Sequence, residues 1–101
     1  MALLSETGIT DGLAALPAWQ RSGGEIRVVY RAPDFPSAIA LVDAVAIKAE
    51  AAGHHPDIDI RWRDVTFVLS THSAGGLTQL DLEMAREIDD AASAAGAHPQ
   101  A

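Results

Sequence analysis

Apolar residues stand at every second position in two adjoining runs: Ile58, Ile60 and Trp62, then Val65, Phe67 and Leu69. A side-chain period of two belongs to an extended strand with one buried face. Only Arg63-Asp64 separates the runs, so a tight reversal and a β-hairpin are predicted, although Arg-Asp is not the Asn-Gly or Asp-Gly pair such turns favour. With the turn at those two residues, Trp62 faces Val65, Ile60 faces Phe67 and Ile58 faces Leu69. Continuing outward, Asp57 faces Ser70, Pro56 faces Thr71 and His55 faces His72. Directly opposed residues have Cβ atoms about 4.5–5.5 Å apart. His55 and His72 are therefore predicted to meet at the open end of the hairpin, on the face away from the core. His54 adjoins them, and Glu50 lies four residues before it, in the last turn of a predicted helix.

That helix is predicted over residues 35–52. Asp34 is its cap, Pro36 suits its first turn, and Leu41, Val42, Val45 and Ala49 recur at helical spacing. Gly53 is the expected stop. Upstream, Thr10 is read as the cap of a short helix that ends at Pro17. An extended segment at Trp19-Gln20, the turn signal Ser22-Gly23-Gly24 and the strand Ile26–Tyr30 read as a first hairpin. Downstream of a glycine-containing loop, Thr78 and Asp81 have capping-box spacing, and Leu77 and Leu82 occupy hydrophobic-staple positions of a last helix reaching about residue 94. The order helix, two strands, helix, two strands, helix predicts an α+β fold: a four-stranded antiparallel sheet with helices packed on one face. Residues 1–101 are read as one domain with its core in 9–94. A frayed tail over 96–101 would leave His98 uninvolved.

Composition narrows the function classes. The chain has 101 residues, no cysteine and a formal net charge of −7. Without cysteine, disulfides and thiolate metal sites are excluded and a reducing compartment is expected. The acidic balance weighs against nucleic acid and anionic membranes as partners. No apolar stretch has the length of a membrane span, and the N-terminus lacks signal-peptide character, so a cytoplasmic location is expected. A catalytic zinc site often takes three histidines. Here two of the three candidates are adjacent, and the helical spacing His-Glu-x-x-His is absent, so no metal is expected. A phosphate-cradling glycine loop and a G-x-S-x-G nucleophile elbow are also missing. Each candidate also has a plainer structural role: Asp81 as a helix cap, Glu50 as a solvated surface residue, Trp19 as core or interface, and Trp62 as core beside Val65.

The run Glu50-Ala51-Ala52-Gly53-His54-His55-Pro56, followed by Trp62, Thr71-His72, Gly75-Gly76-Leu77-Thr78 and Asp81, resembles the signature of the pterin-4a-carbinolamine dehydratases. The similarity extends upstream through Leu16-Pro17, Trp19 and Asp34-Phe35, covering roughly residues 9–92. The resemblance implies a four-stranded antiparallel sheet with helices on one side. It also implies removal of the 4a-hydroxyl of a hydroxylated tetrahydropterin as water, in recycling of the pterin cofactor, with no cofactor of the enzyme's own. By motif position it implies His54 and His72 as general acids with Glu50 in the catalytic set. His55, Asp81 and Trp19 form the implied substrate-binding set. Many members carry a basic residue where this chain has Leu80, a departure that bears on affinity and on which pterin is bound.

Some relatives in that family are non-catalytic interaction proteins, dimerisation cofactors or assembly factors, and this is the alternative function. The resemblance and the open edges of a small sheet both imply a homodimer or homotetramer.

Overall fold

Ser5, rather than Thr10, begins the first helix. A computed structural model describes residues 2–100, and in it helix α1 spans Glu6–Ala14, with the Ser5 hydroxyl accepting from the Gly8 N–H at 3.0 Å. Ser5-Glu6 supplies both a capping oxygen and a first-turn carboxylate, which favours an earlier start. Glu6 forms a two-pronged ion pair with Arg21.

Strands β1 (Gln20–Ser22) and β2 (Glu25–Arg31) form the first predicted hairpin, with Gly23 in the left-handed conformation that its turn requires. Helix α2 (Phe35–Ala52) has the predicted bounds. The Asp34 carboxylate accepts from the Ser37 N–H at 2.8 Å, and Gly53 closes the helix at φ 63°. Strands β3 (Asp57–Arg61) and β4 (Asp64–Leu69) follow, then a single 3₁₀ turn over His72–Ala74 and helix α3 (Gln79–Ala94). The strands are antiparallel in the order β1-β2-β4-β3. Ile26, Val28 and Tyr30 of β2 and Val65, Phe67 and Leu69 of β4 are buried, on the face where α2 and α3 pack against β4.

The predicted α+β architecture is present with one addition. The tail expected to fray forms a short strand β5 (His98–Pro99), which pairs with Tyr30 and Arg31 of β2, and the Gln100 N–H donates to the Val29 carbonyl at 2.8 Å. Strand β1 ends short of that part of β2, so the vacant backbone groups there are taken up by the tail.

The second hairpin differs from expectation in register. Arg61 pairs with Asp64, Ile60 with Val65 and Ile58 with Phe67, so the turn is Trp62-Arg63. The slip is two residues, an even number, and leaves Ile58 and Ile60 on the same face as before. Periodicity cannot distinguish the two registers, but Asp64 can. As a strand residue it sits opposite Arg31 of β2 and accepts from its guanidinium at 2.8 and 3.1 Å. Trp62, expected in the core, is instead 69% exposed in the turn at φ 54°, with the Arg63 guanidinium 4.7 Å from its ring centre. Strand β3 is an edge strand, exposed throughout.

Candidate active site

The end of α2 aims the first histidine. The Gly53 N–H bonds to the Glu50 carbonyl at 3.3 Å, and the His54 N–H reaches back to the Ala49 carbonyl at 3.1 Å. This left-handed closure reverses the chain beneath its own last turn and turns His54 inward. His54 is 8% exposed, and its Nε2 lies 2.6 Å from Oδ1 of Asp81.

Asp81 is fully buried. Thr78 and Asp81 form the predicted capping box, with the Thr78 N–H donating to Asp81 Oδ2 at 2.9 Å. The same oxygen accepts from the Thr71 hydroxyl at 2.9 Å, and the Thr71 and Thr78 hydroxyl oxygens are 2.7 Å apart. The α3 N-terminus also favours a negative group at this place. Buried polar groups need partners, and here each is provided for. Asp81 is thus both cap and histidine partner, with none of its surface exposed.

His55 forms a second, exposed pair, with its Nε2 2.7 Å from Glu50 Oε1. Glu50 therefore pairs with His55, not with His54. His72 opens the 3₁₀ turn and is exposed. His55 and His72 are not directly opposed as predicted: the observed register, continued outward, sets His55 against the position of Ser70, and β4 ends before His72 is reached. The link to His72 runs instead through Thr71, its neighbour in sequence and a partner of Asp81.

His54 lines a groove of about 370 Å³ between α2 and α3, with Ala51, Ala52, Leu80 and Met84. The Lys48–Glu87 ion pair at 2.7 Å bridges the two helices at the same groove. Leu80 makes this wall apolar where a basic residue would have added charge. His72 borders a different recess of about 400 Å³, with Gly24, Glu25, Asp57, Ser70 and Gly75.

Trp19 stands apart from the histidines. It is 5% exposed, and its indole N–H donates to Asp89 Oδ1 at 2.9 Å. Asp89 lies two turns beyond Asp81 on α3, about 12 Å along the axis. The Tyr30 hydroxyl donates to the same oxygen at 2.6 Å. Burial pushes the Tyr30 phenol well above its usual range, and Asp89 adds to the effect. Trp19 is therefore part of the core, held there by Asp89.

Among the described residues, no group of three or more histidine, cysteine, aspartate or glutamate side chains is placed to hold a metal ion. No described helix is long and apolar enough to cross a membrane. The Thr71 and Thr78 hydroxyls are the site groups that sequence reasoning missed. Thr78 was legible only as a cap and Thr71 only as part of a motif, because the order of residues does not show that both hydroxyls are buried on one carboxylate.

Comparison with known proteins shows the family and the fold. Residues 2–91 match the family model described as pterin 4 alpha carbinolamine dehydratase. A protein of Nocardia farcinica, provisionally named a pterin-4-alpha-carbinolamine dehydratase, is 63% identical over 90 residues, 89% of this chain and 95% of that one. A protein of Roseiflexus castenholzii with the same provisional name is 58% identical over 89 residues, 88% of this chain and 96% of that one. The crystal structure of a transcriptional coactivator/pterin dehydratase from Brucella melitensis superposes with a TM-score of 0.86 at 33% identity, covering 89% of this chain and 98% of that one. A pterin dehydratase-like protein identified as a RuBisCO assembly factor in the alpha-carboxysome shares the fold, with a TM-score of 0.61 at 21% identity over 73% of this chain and 86% of that one.

Proposed function

The chain belongs to the pterin 4 alpha carbinolamine dehydratase family, and from that premise we propose that it dehydrates a 4a-hydroxytetrahydropterin by histidine acid–base catalysis in the cytoplasm, as a step of tetrahydropterin recycling. The observation that carries the reading is the buried His54–Asp81 pair beside an apolar groove.

Hydroxide is a poor leaving group, so the 4a-oxygen needs a proton as the C4a–O bond breaks. An imidazolium supplies it, N5 gives up its own proton, and a C4a–N5 double bond forms. The products are water and a quinonoid dihydropterin, and no electrons change hands. Histidine suits the task because its ordinary pKa lies near neutrality. His54 presents Nε2 to Asp81, so Nδ1 is the nitrogen left to serve a substrate. His72 is the second acid, and two acids placed around one bound pterin ring would serve either stereoisomer of the hydroxyl. His55, paired with Glu50, is the pterin binder. The metal-free reading rests on this chemistry, which needs no Lewis acid.

The test is stopped-flow absorbance with synthetic 4a-hydroxytetrahydropterin. Catalysis above the buffer rate is expected, and it should be nearly abolished when His54 and His72 are both replaced by alanine. A wild-type rate equal to buffer would reject the dehydratase. Such a result, with a protein partner co-purifying, would favour a non-catalytic interaction role, as the description of the Brucella protein as a transcriptional coactivator suggests.

A second copy of this chain is the proposed protein partner. Strand β3 is an open edge, and Ile58 and Ile60 are 37% and 39% exposed on the helix-bearing face. Antiparallel pairing of β3 with itself about Asp59 would set Asp57 against Arg61 of the partner subunit on both sides of the axis, two opposite-charge pairs that offset the two Asp59 carboxylates facing each other at its centre. Light scattering should give a dimer or tetramer, reduced by Ile60→Lys. A monomer at all concentrations would refute this partner.

A further inference from the structure

We infer that Thr71 is a positioning residue that orients the Asp81 carboxylate against His54 Nε2 and ties that histidine to the loop carrying His72. The inference rests on the dehydratase reading only for its catalytic consequence.

The proton order in the network follows from counting donors. Asp81 Oδ2 can only accept from the Thr71 hydroxyl, which has one proton to give. At the 2.7 Å contact between the two threonines, Thr78 must therefore donate and Thr71 accept. Thr78 in turn accepts from the Leu80 N–H at 3.2 Å. A one-way chain results: Leu80 N–H to Thr78, Thr78 to Thr71, Thr71 to Asp81. With the Thr78 N–H also on Oδ2, Asp81 is left with Oδ1 as the acceptor for a proton on His54 Nε2. Nδ1 is then the nitrogen free to exchange protons.

The backbone of Thr71 does the other half of the work. Its carbonyl accepts from the Ala74 and Gly75 N–H groups, each at 3.0 Å, and its N–H donates to the Gly76 carbonyl at 2.9 Å. These bonds close the 3₁₀ turn that begins at His72. One residue thus holds the His72 loop with its main chain and the His54 partner with its side chain. Valine has the shape of threonine without the hydroxyl, so Thr71→Val removes the donor on Asp81 and leaves the Thr78 hydroxyl without an acceptor.

The experiment is long-range ¹H–¹⁵N correlation of the His54 ring in the whole labelled chain, at a pH where the ring is neutral. The wild type should show one tautomer, protonated at Nε2. Thr71→Val should shift the His54 ring resonances, because the Asp81 carboxylate loses one of its anchors, and Thr71→Ser should restore them. A wild-type ring bare at Nε2, or a folded Thr71→Val with unchanged His54 shifts, would overturn the inference. Should the valine variant fail to fold, the wild-type hydroxyl protons decide. Slow exchange at both Thr71 and Thr78 supports the chain, and fast exchange at either refutes it. In the dehydratase assay Thr71→Val should lower kcat about tenfold with KM little changed, the scale of one lost hydrogen bond. His54 resonances that respond to Thr71 without turnover would reject the dehydratase and leave the positioning role standing.

Discussion

His54 Nε2 and Asp81 Oδ1 lie 2.6 Å apart although 27 positions separate the two residues in the chain. The contact joins the end of α2 to the start of α3, and each partner is placed by a helix-terminal motif: the left-handed Gly53 for one, the capping box for the other. The conformations that end one helix and begin the next also build the site.

Asp81→Asn tests that double duty. The asparagine can keep its oxygen on the Thr71 hydroxyl and Thr78 N–H by turning its NH₂ to His54, which makes Nε2 the acceptor and moves the ring proton to Nδ1. The bonds to the side chain lose their charge and the α3 N-terminus loses an anion, which should lower stability by about 1–3 kcal/mol. Urea denaturation checks the loss, and stopped-flow should show reduced dehydration in the fraction that remains folded. Unchanged stability would mean that the carboxylate is not held as described.

Asp89→Ala orphans two buried donors, the Trp19 indole N–H and the Tyr30 hydroxyl. A loss of about 1–3 kcal/mol is expected by denaturant titration. Tyr30 is the chain's one tyrosine, so its ionisation can be followed by ultraviolet absorbance. Burial and then Asp89 raise the folded phenol above its ordinary value. The stability this contributes is whole below about pH 10 and is lost as pH rises through the folded value. Asp89→Ala should bring the absorbance change to lower pH but not all the way, because burial remains the larger cause.

Gly12→Ala opposes helix propensity to packing. Alanine in a helix interior is favoured over glycine by about 1 kcal/mol. At this position its Cβ would lie 2.4 Å from Leu82 Cδ1, and Leu82 is itself buried in the core. Overpacking of this kind costs about 1–3 kcal/mol, so a net fall in Tm is expected in calorimetry. A rise would show that α1 can move away from α3.

Acid should weaken the fold through exposed carboxylates. Hydrogen bonds from Ser37 hold Asp34 below its ordinary 3.8, and the Arg31 guanidinium does the same for Asp64. Carboxylates lowered in this way stabilise the fold above their unfolded value, and the effect is lost as pH falls through the folded one. Asp34→Ser keeps a capping oxygen without the charge. Its Tm should fall less steeply than that of the wild type below about pH 4. Parallel profiles would exclude Asp34 as a contributor.

Much of this was legible in the order of residues. The bounds of α2 followed from Asp34, Pro36 and Gly53, and the start of α3 from Thr78 and Asp81, because caps are local devices. The alternating faces of β2 and β4 followed from period-two patterning. The hairpin register did not, since a slip of two residues preserves every face, and only the cross-strand Arg31–Asp64 pair on a third strand distinguishes the choices. Trp62 was misplaced for that reason, and the expected pairing of His55 with His72 failed with it.

The sequence by itself determined the α+β architecture, the bounds of α2, the start of α3 and the motif that resembles the family signature, because these depend on neighbours within a few positions. Only the tertiary structure decided how those residues are partnered. It sent Glu50 to His55, Asp81 to His54, Trp19 to Asp89 and the tail to the edge of β2. Those pairings depend on which buried donors find acceptors once the helices lie on the sheet, and burial is a property of the folded chain.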